Sequence, residues 1–136
     1  FSKAQSMYEI LVSQTENPIF YTNLGLCYYV KGDLDMAIKA YEKALELDPS
    51  RKERFINLAR VYEQKGDLVS SRAQYEKWIE REPKDIDGLL VLAFYFEKDK
   101  DYINAYETYK RILQLSPYNE IAVSKSKQIG RKIRIQ

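Results

Sequence analysis

Large apolar side chains recur along the chain at alternating three- and four-residue steps, as in Tyr21, Leu24 and Tyr28, and then Leu34, Ala37, Tyr41 and Ala44, with polar residues between them. That spacing lays each series along one face of an α-helix. Lys31, Gly32 and Asp33 separate the two series. A glycine there can take the left-handed conformation that ends a helix, and an aspartate can cap the next. The pattern therefore predicts a helical hairpin.

The same pattern returns every 34 positions. GDLDMAIKAYEKALELDP begins at Gly32, GDLVSSRAQYEKWIEREP at Gly66 and KDYINAYETYKRILQLSP at Lys100. Leu24, Leu58 and Leu92 align, as do Tyr41, Tyr75 and Tyr109, and Pro49, Pro83 and Pro117 close the copies. Proline stops a helix and biases the residue before it away from helical geometry. Gly25, Ala59 and Ala93 keep one crossing position small, which predicts a close approach of the two helices; Ala37, Ser71 and Ala105 do the same from the second helix. Trp78 stands where the first copy has Ala44, and Gly88 is expected to make room for its indole. Lys100 replaces the turn glycine, and a left-handed lysine there is expected to cost about 1 kcal/mol.

Residues 1–16 align with the second helix of a unit, with Ala4, Tyr8 and Leu11 in the places of Ala37, Tyr41 and Ala44. The expected organisation is one domain over 1–136: the second helix of a truncated repeat (1–16), repeats at 18–51, 52–85 and 86–118, and a C-terminal capping helix (119–136). Terminal units of stacked repeats need a polar outer side. Phe1 is not a start methionine and no targeting signal follows it, so the sequence is expected to be cut from a longer chain.

The sequence aromatic-x-x-Leu-Gly-x-x-Tyr, then Ala-x-x-x-aromatic, then Pro, met here by Tyr21, Leu24, Gly25, Tyr28, Ala37, Tyr41 and Pro49, closely resembles the tetratricopeptide repeat. The resemblance implies an all-α fold, a right-handed α-solenoid of stacked antiparallel helix hairpins. In it, first helices line a concave side and second helices a convex one. It also implies a non-catalytic protein-interaction scaffold.

Composition narrows the chemistry. Apolar residues make up 45% of the chain and charged ones 31%, with a net charge of +2, so bulk electrostatics favour neither nucleic acid nor an anionic membrane as partner. There is no histidine and one cysteine, Cys27, expected to be a small buried side chain. Without the commonest general base and metal ligand, no enzyme, metal site or cofactor is expected, and no small-molecule substrate. The longest uncharged run, Asn17 to Val30, is fourteen residues, short of the roughly 20 a membrane-spanning helix requires. The expectation is a soluble protein, with the cytoplasm favoured. One charge asymmetry stands out: Lys125, Lys127, Arg131, Lys132 and Arg134 follow one another with no acid between them, and the macrodipole favours cations at that end of a helix. They are expected to solvate the cap; the alternative is an anionic partner site, for which five charges are few.

In the family, ligands contact the first-helix positions that face the groove. Carried across, these are Thr22, Asn23, Leu26, Tyr29 and Val30 in the first repeat, Ile56, Asn57 and Arg60 in the second, and Leu90, Val91 and Phe94 in the third, with Glu97 following. Several are large and apolar, and an exposed apolar patch marks an interface. Asn23 and Asn57 are equivalent, and an amide can bond both N–H and C=O of an extended backbone. A two-carboxylate clamp of the kind that grips chaperone tails is not expected: Asn57 matches it, but Thr22, Leu26, Asp87 and Val91 stand where its other cations and amide belong, and a carboxylate would be left desolvated and unpaired. The expected partner is a peptide or helical segment of a protein. The alternative is a structural segment of a longer superhelix, with self-association through Met7, Ile10 and Leu11 at the N-terminal end.

Overall fold

A computed structural model describes residues 2–135; residues 1 and 136 of the expected domain lie outside them. The described residues form eight α-helices: α1 (Ser2–Gln14), α2 (Pro18–Lys31), α3 (Leu34–Leu47), α4 (Lys52–Gln64), α5 (Leu68–Arg81), α6 (Ile86–Lys98), α7 (Tyr102–Leu115) and α8 (Glu120–Ile135). The chain is of the all-α helical-repeat class, the fold class that the period predicts. It divides into two compact units, Phe1–Gln74 and Tyr75–Gln136.

The helix ends follow the turn chemistry. Asn17 Oδ1 accepts the backbone N–H of Ile19 at 2.9 Å, with Pro18 opening α2 where a missing N–H costs nothing. Gly32 and Gly66 sit at φ 87° and 81°, and Lys100 takes the same left-handed place at φ 57°. The expected backbone strain at this turn is thus present in the third copy. Asp33, Asp67 and Asp101, each one residue later, accept backbone N–H groups of the helices that follow.

The core of the first unit gathers Leu24, Tyr28, Ala37, Ile38, Ala40, Tyr41, Leu58 and Val61, with Tyr8, Tyr29 and Tyr62 partly buried against it. Burying one such large side chain contributes about 1.5–3 kcal/mol. Gly25 is small for a steric reason: a Cβ there would lie 2.6 Å from the Tyr41 ring. Ser71, where the other copies have alanine, is fully buried and donates its hydroxyl to the Ala59 carbonyl at 2.9 Å, so its polarity is satisfied.

In the second unit Leu89, Leu92, Ala93, Tyr95, Ala105, Tyr109, Ile112, Ala122 and Ile129 are buried. Trp78 is buried as well, and its Nε1–H donates to Asp85 Oδ2 at 2.6 Å. A Cβ on Gly88 would meet Ile79 Cδ1 at 2.9 Å, Asp85 Oδ2 at 3.2 Å and Trp78 Cδ1 at 3.3 Å, so the glycine makes room for the isoleucine first, and then for the bonded Asp85–indole pair. Asp85 is the N-cap of α6 yet makes no capping bond with its side chain.

Candidate functional site

The eleven candidate positions lie on α2, α4 and α6, the first helices of the three hairpins, and the structure gives them unequal roles. On α2, Leu26 and Val30 are 51% and 48% exposed, one turn apart on one face. Ile19, also exposed, continues that face a further two turns toward the N-terminus. Leaving such side chains in water forgoes the burial energy that core residues gain.

Thr22 and Asn23, by contrast, are occupied within the chain. Thr22 Oγ1 donates to the Pro18 carbonyl at 2.8 Å and accepts from Arg54 Nη1 at 2.7 Å. Asn23 Nδ2 donates to Tyr8 Oη at 3.2 Å, which leaves its carbonyl oxygen for a ligand. Tyr29 is half-buried against the core.

On α4, Ile56 and Asn57 are half-buried and Arg60 is exposed. Sequence reasoning passed over Arg54, which is buried (6% exposed) and donates Nη2 to Asp48 Oδ2 at 3.3 Å in addition to holding Thr22. Its Nε–H has no partner among the described residues. A signal existed: Arg54 is 34 positions after Phe20 and 34 before Gly88, a charge where the other copies carry none. Asp48 itself is held below the usual carboxylate range, first by the hydroxyl and backbone N–H of Ser50 and then by Arg54.

On α6, Phe94 is 51% exposed, with Lys98 Nζ 5.2 Å from its ring centroid, a cation–π arrangement. Leu90 and Val91 are half-buried. Glu97 does not join this face. Its carboxylate accepts the Tyr109 hydroxyl at 2.7 Å and Lys125 Nζ at 3.3 Å, tying α6 to α7 and α8. Burial, reinforced by the Glu97 carboxylate, pushes the Tyr109 hydroxyl well above its ordinary pKa. Within the first unit burial raises Tyr41 to about 12.

Cys27 is buried. Among the described residues no group of three or more His, Cys, Asp and Glu side chains could hold a metal, and no helix is long and apolar enough to cross a membrane. The candidate faces combine exposed apolar side chains with half-buried amides, suited to non-covalent contact.

Among solved structures, the chain is similar to MamA (17% identity, TM-score 0.70, covering 96% of this chain and 78% of that one). It is similar also to YrrB, described as a TPR protein with an unusual peptide-binding site (15%, TM-score 0.70, 98% and 69%). A third likeness is to the first TPR of Spaghetti bound to an HSP90 peptide (19%, TM-score 0.62, 86% and 95%). At these identities the likeness shows the fold.

Among curated proteins, the BBSome complex member BBS4 of Bos taurus is 38% identical over 53 residues, 39% of this chain and 10% of that protein. The mitochondrial import receptor subunit TOM70 of Saccharomyces cerevisiae is 39% identical over 49 residues, 36% of this chain and 8% of that protein. The chain thus spans a tenth or less of the length of these relatives. Residues 6–122 match the family described as the cytochrome c-type biogenesis protein H TPR domain, and the chain belongs to that tetratricopeptide-repeat family.

Proposed function

We propose that the chain is a non-catalytic protein-interaction module whose exposed first-helix faces receive a peptide or helical segment of a partner. In the first unit the face is Leu26 and Val30 on α2 with Ile56, Asn57 and Arg60 on α4. In the second unit it is Phe94 with Leu90 and Val91 on α6. The observation that carries this reading is that Leu26 and Phe94, two periods apart at one repeat position, are both half-exposed although large and apolar. A structural neighbour, the first TPR of Spaghetti, is bound to a peptide, which supports a protein segment as the class of ligand. The Asn23 carbonyl and the half-buried Asn57 amide supply bonds to a backbone without reading its sequence.

The test is affinity capture from a lysate of the source cells with the wild-type chain beside Leu26→Glu and Phe94→Glu, circular dichroism being recorded for all three. A protein retained by the wild type and lost from both variants at unchanged helical content supports the reading. Unfolding of the variants would make these side chains part of the core and end it.

A second reading rests on Met7 and Ile10, 49% and 57% exposed on α1: this face docks another copy of the chain. Leu11, expected with them, is half-buried and contributes less. Sedimentation across a concentration series distinguishes the two readings, because a strict monomer removes the second.

A further inference from the structure

The face of α8 formed by Ser124, Lys127, Gln128 and Arg131, at steps of three, one and three residues, borders a groove of about 630 Å³. Ser124 stands 34 residues after Leu90 and Gln128 34 after Phe94, so the helix expected to solvate the end of the array carries two candidate binding positions one period further, now polar instead of apolar. Lys127, 34 after Ala93, and Arg131, 34 after Glu97, add cations beside them. Glu120, in the first turn of α8, is the one carboxylate lining the groove.

The cations of α8 are not alike. Lys125 is engaged by Glu97 at 3.3 Å, and Lys132 lies 4.8 Å from the centroid of the Tyr102 ring. Lys127 and Arg131 are exposed and form no ion pair among the described residues. Two unneutralised cations one turn apart attract and orient carboxylates. Tyr118, 91% exposed, gives the same groove an aromatic wall.

The Glu97–Lys125 bond ties α8 to α6: Glu97 is one turn beyond Phe94 on α6, and Lys125 is one turn before Gln128 on α8, so the helix of the groove and the helix of Phe94 are held together near these residues. Lys98, over the Phe94 ring, adds a third cation on the apolar side.

We infer that the second unit selects an acidic, amphipathic protein segment, whose apolar side chain packs on Phe94 while its carboxylates pair with Lys127 and Arg131. This rests on the protein-segment reading above and adds the chemical class of that segment. Exposed ion pairs contribute little individually, so the selectivity expected from two cations is about fivefold at low salt.

The experiment uses a fluorescein-labelled peptide Glu-Glu-Leu-Phe-Glu-Glu-Leu and its counterpart with glutamine for every glutamate, titrated by anisotropy. The ligands meet the wild type, a Lys127→Ala/Arg131→Ala double variant and Phe94→Ala. The wild type is expected to bind the glutamate peptide about fivefold more tightly, with the preference shrinking as salt rises. The double variant is expected to erase the preference, and Phe94→Ala to weaken both peptides alike. Equal affinity for the two peptides, or a preference that survives in the double variant, would overturn the inference. If Phe94→Ala still weakened both peptides in that case, the protein-segment reading would stand alone. Failure of the glutamate peptide to bind would also overturn it. So would its displacement by a single-stranded oligonucleotide that binds more tightly, which would reassign the groove to nucleic acid.

Discussion

Replacing Lys100 with glycine should make the protein more stable, although it removes a side chain and adds no contact. Gly32, Gly66 and Lys100 share one turn position at the 34-residue period, all with positive φ. At φ 57° a lysine is near the centre of the left-handed well, where an L-residue carries about 1–2 kcal/mol of strain. Glycine removes the strain but loses more conformational freedom on folding, worth about 0.5–1 kcal/mol. The net expectation is a gain of about 0.5–1 kcal/mol. With a urea slope of about 1–3 kcal/mol/M for a chain of this size, the midpoint should rise by about 0.2–1 M at unchanged slope. The reciprocal change supplies the control. A Cβ added at Gly66 would meet nothing within 4 Å, so Gly66→Ala probes the backbone alone and should lower the midpoint. A midpoint for Lys100→Gly equal to or below that of the wild type would refute the strain argument.

Three further outcomes follow from the geometry. Asp85→Ala leaves the buried Trp78 indole without its 2.6 Å acceptor and should cost about 1–3 kcal/mol in thermal unfolding, while Asp85→Asn, which keeps an acceptor, should recover part of it. From neutral pH to about pH 10, the ordinary tyrosine value, Tyr41 and Tyr109 should leave stability level, and above it stability should fall. The folded chain holds the Tyr41 proton to about pH 12 and the Tyr109 proton still longer, while the unfolded chain has released both. Tyr41→Phe and Tyr109→Phe should flatten that alkaline slope in pH-dependent urea titrations. Leu26→Glu and Phe94→Glu should leave far-ultraviolet circular dichroism unchanged, because each side chain is already half in water.

The elements of this fold were legible because each is written more than once. Tyr41, Tyr75 and Tyr109 announce the period, and Gly32 with Asp33 marks a turn whose chemistry is local. Even the departures could be read: Lys100 in a glycine place gave the left-handed lysine, and Gly88 opposite Trp78 gave the steric accommodation. The candidate faces were less legible. Periodicity puts Thr22, Asn23 and Glu97 among the candidate positions of their helices, but it does not say that Arg54, Tyr8, Tyr109 and Lys125 are near enough to claim them. Such partners occur once, between helices, and leave no repeated trace. Charged and amide side chains are long enough to turn from one face to another, whereas Leu26 and Phe94 remain where the period placed them.

The central claim, that α2, α4 and α6 receive the partner, is tested most directly by hydrogen exchange on the chain saturated with a captured partner segment. The account predicts slowed exchange on the first helices of whichever unit the segment occupies, α2 and α4 in the first or α6 in the second, with α3, α5 and α7 unchanged. Protection confined to α3, α5 and α7 would contradict it and move the interface to the second helices.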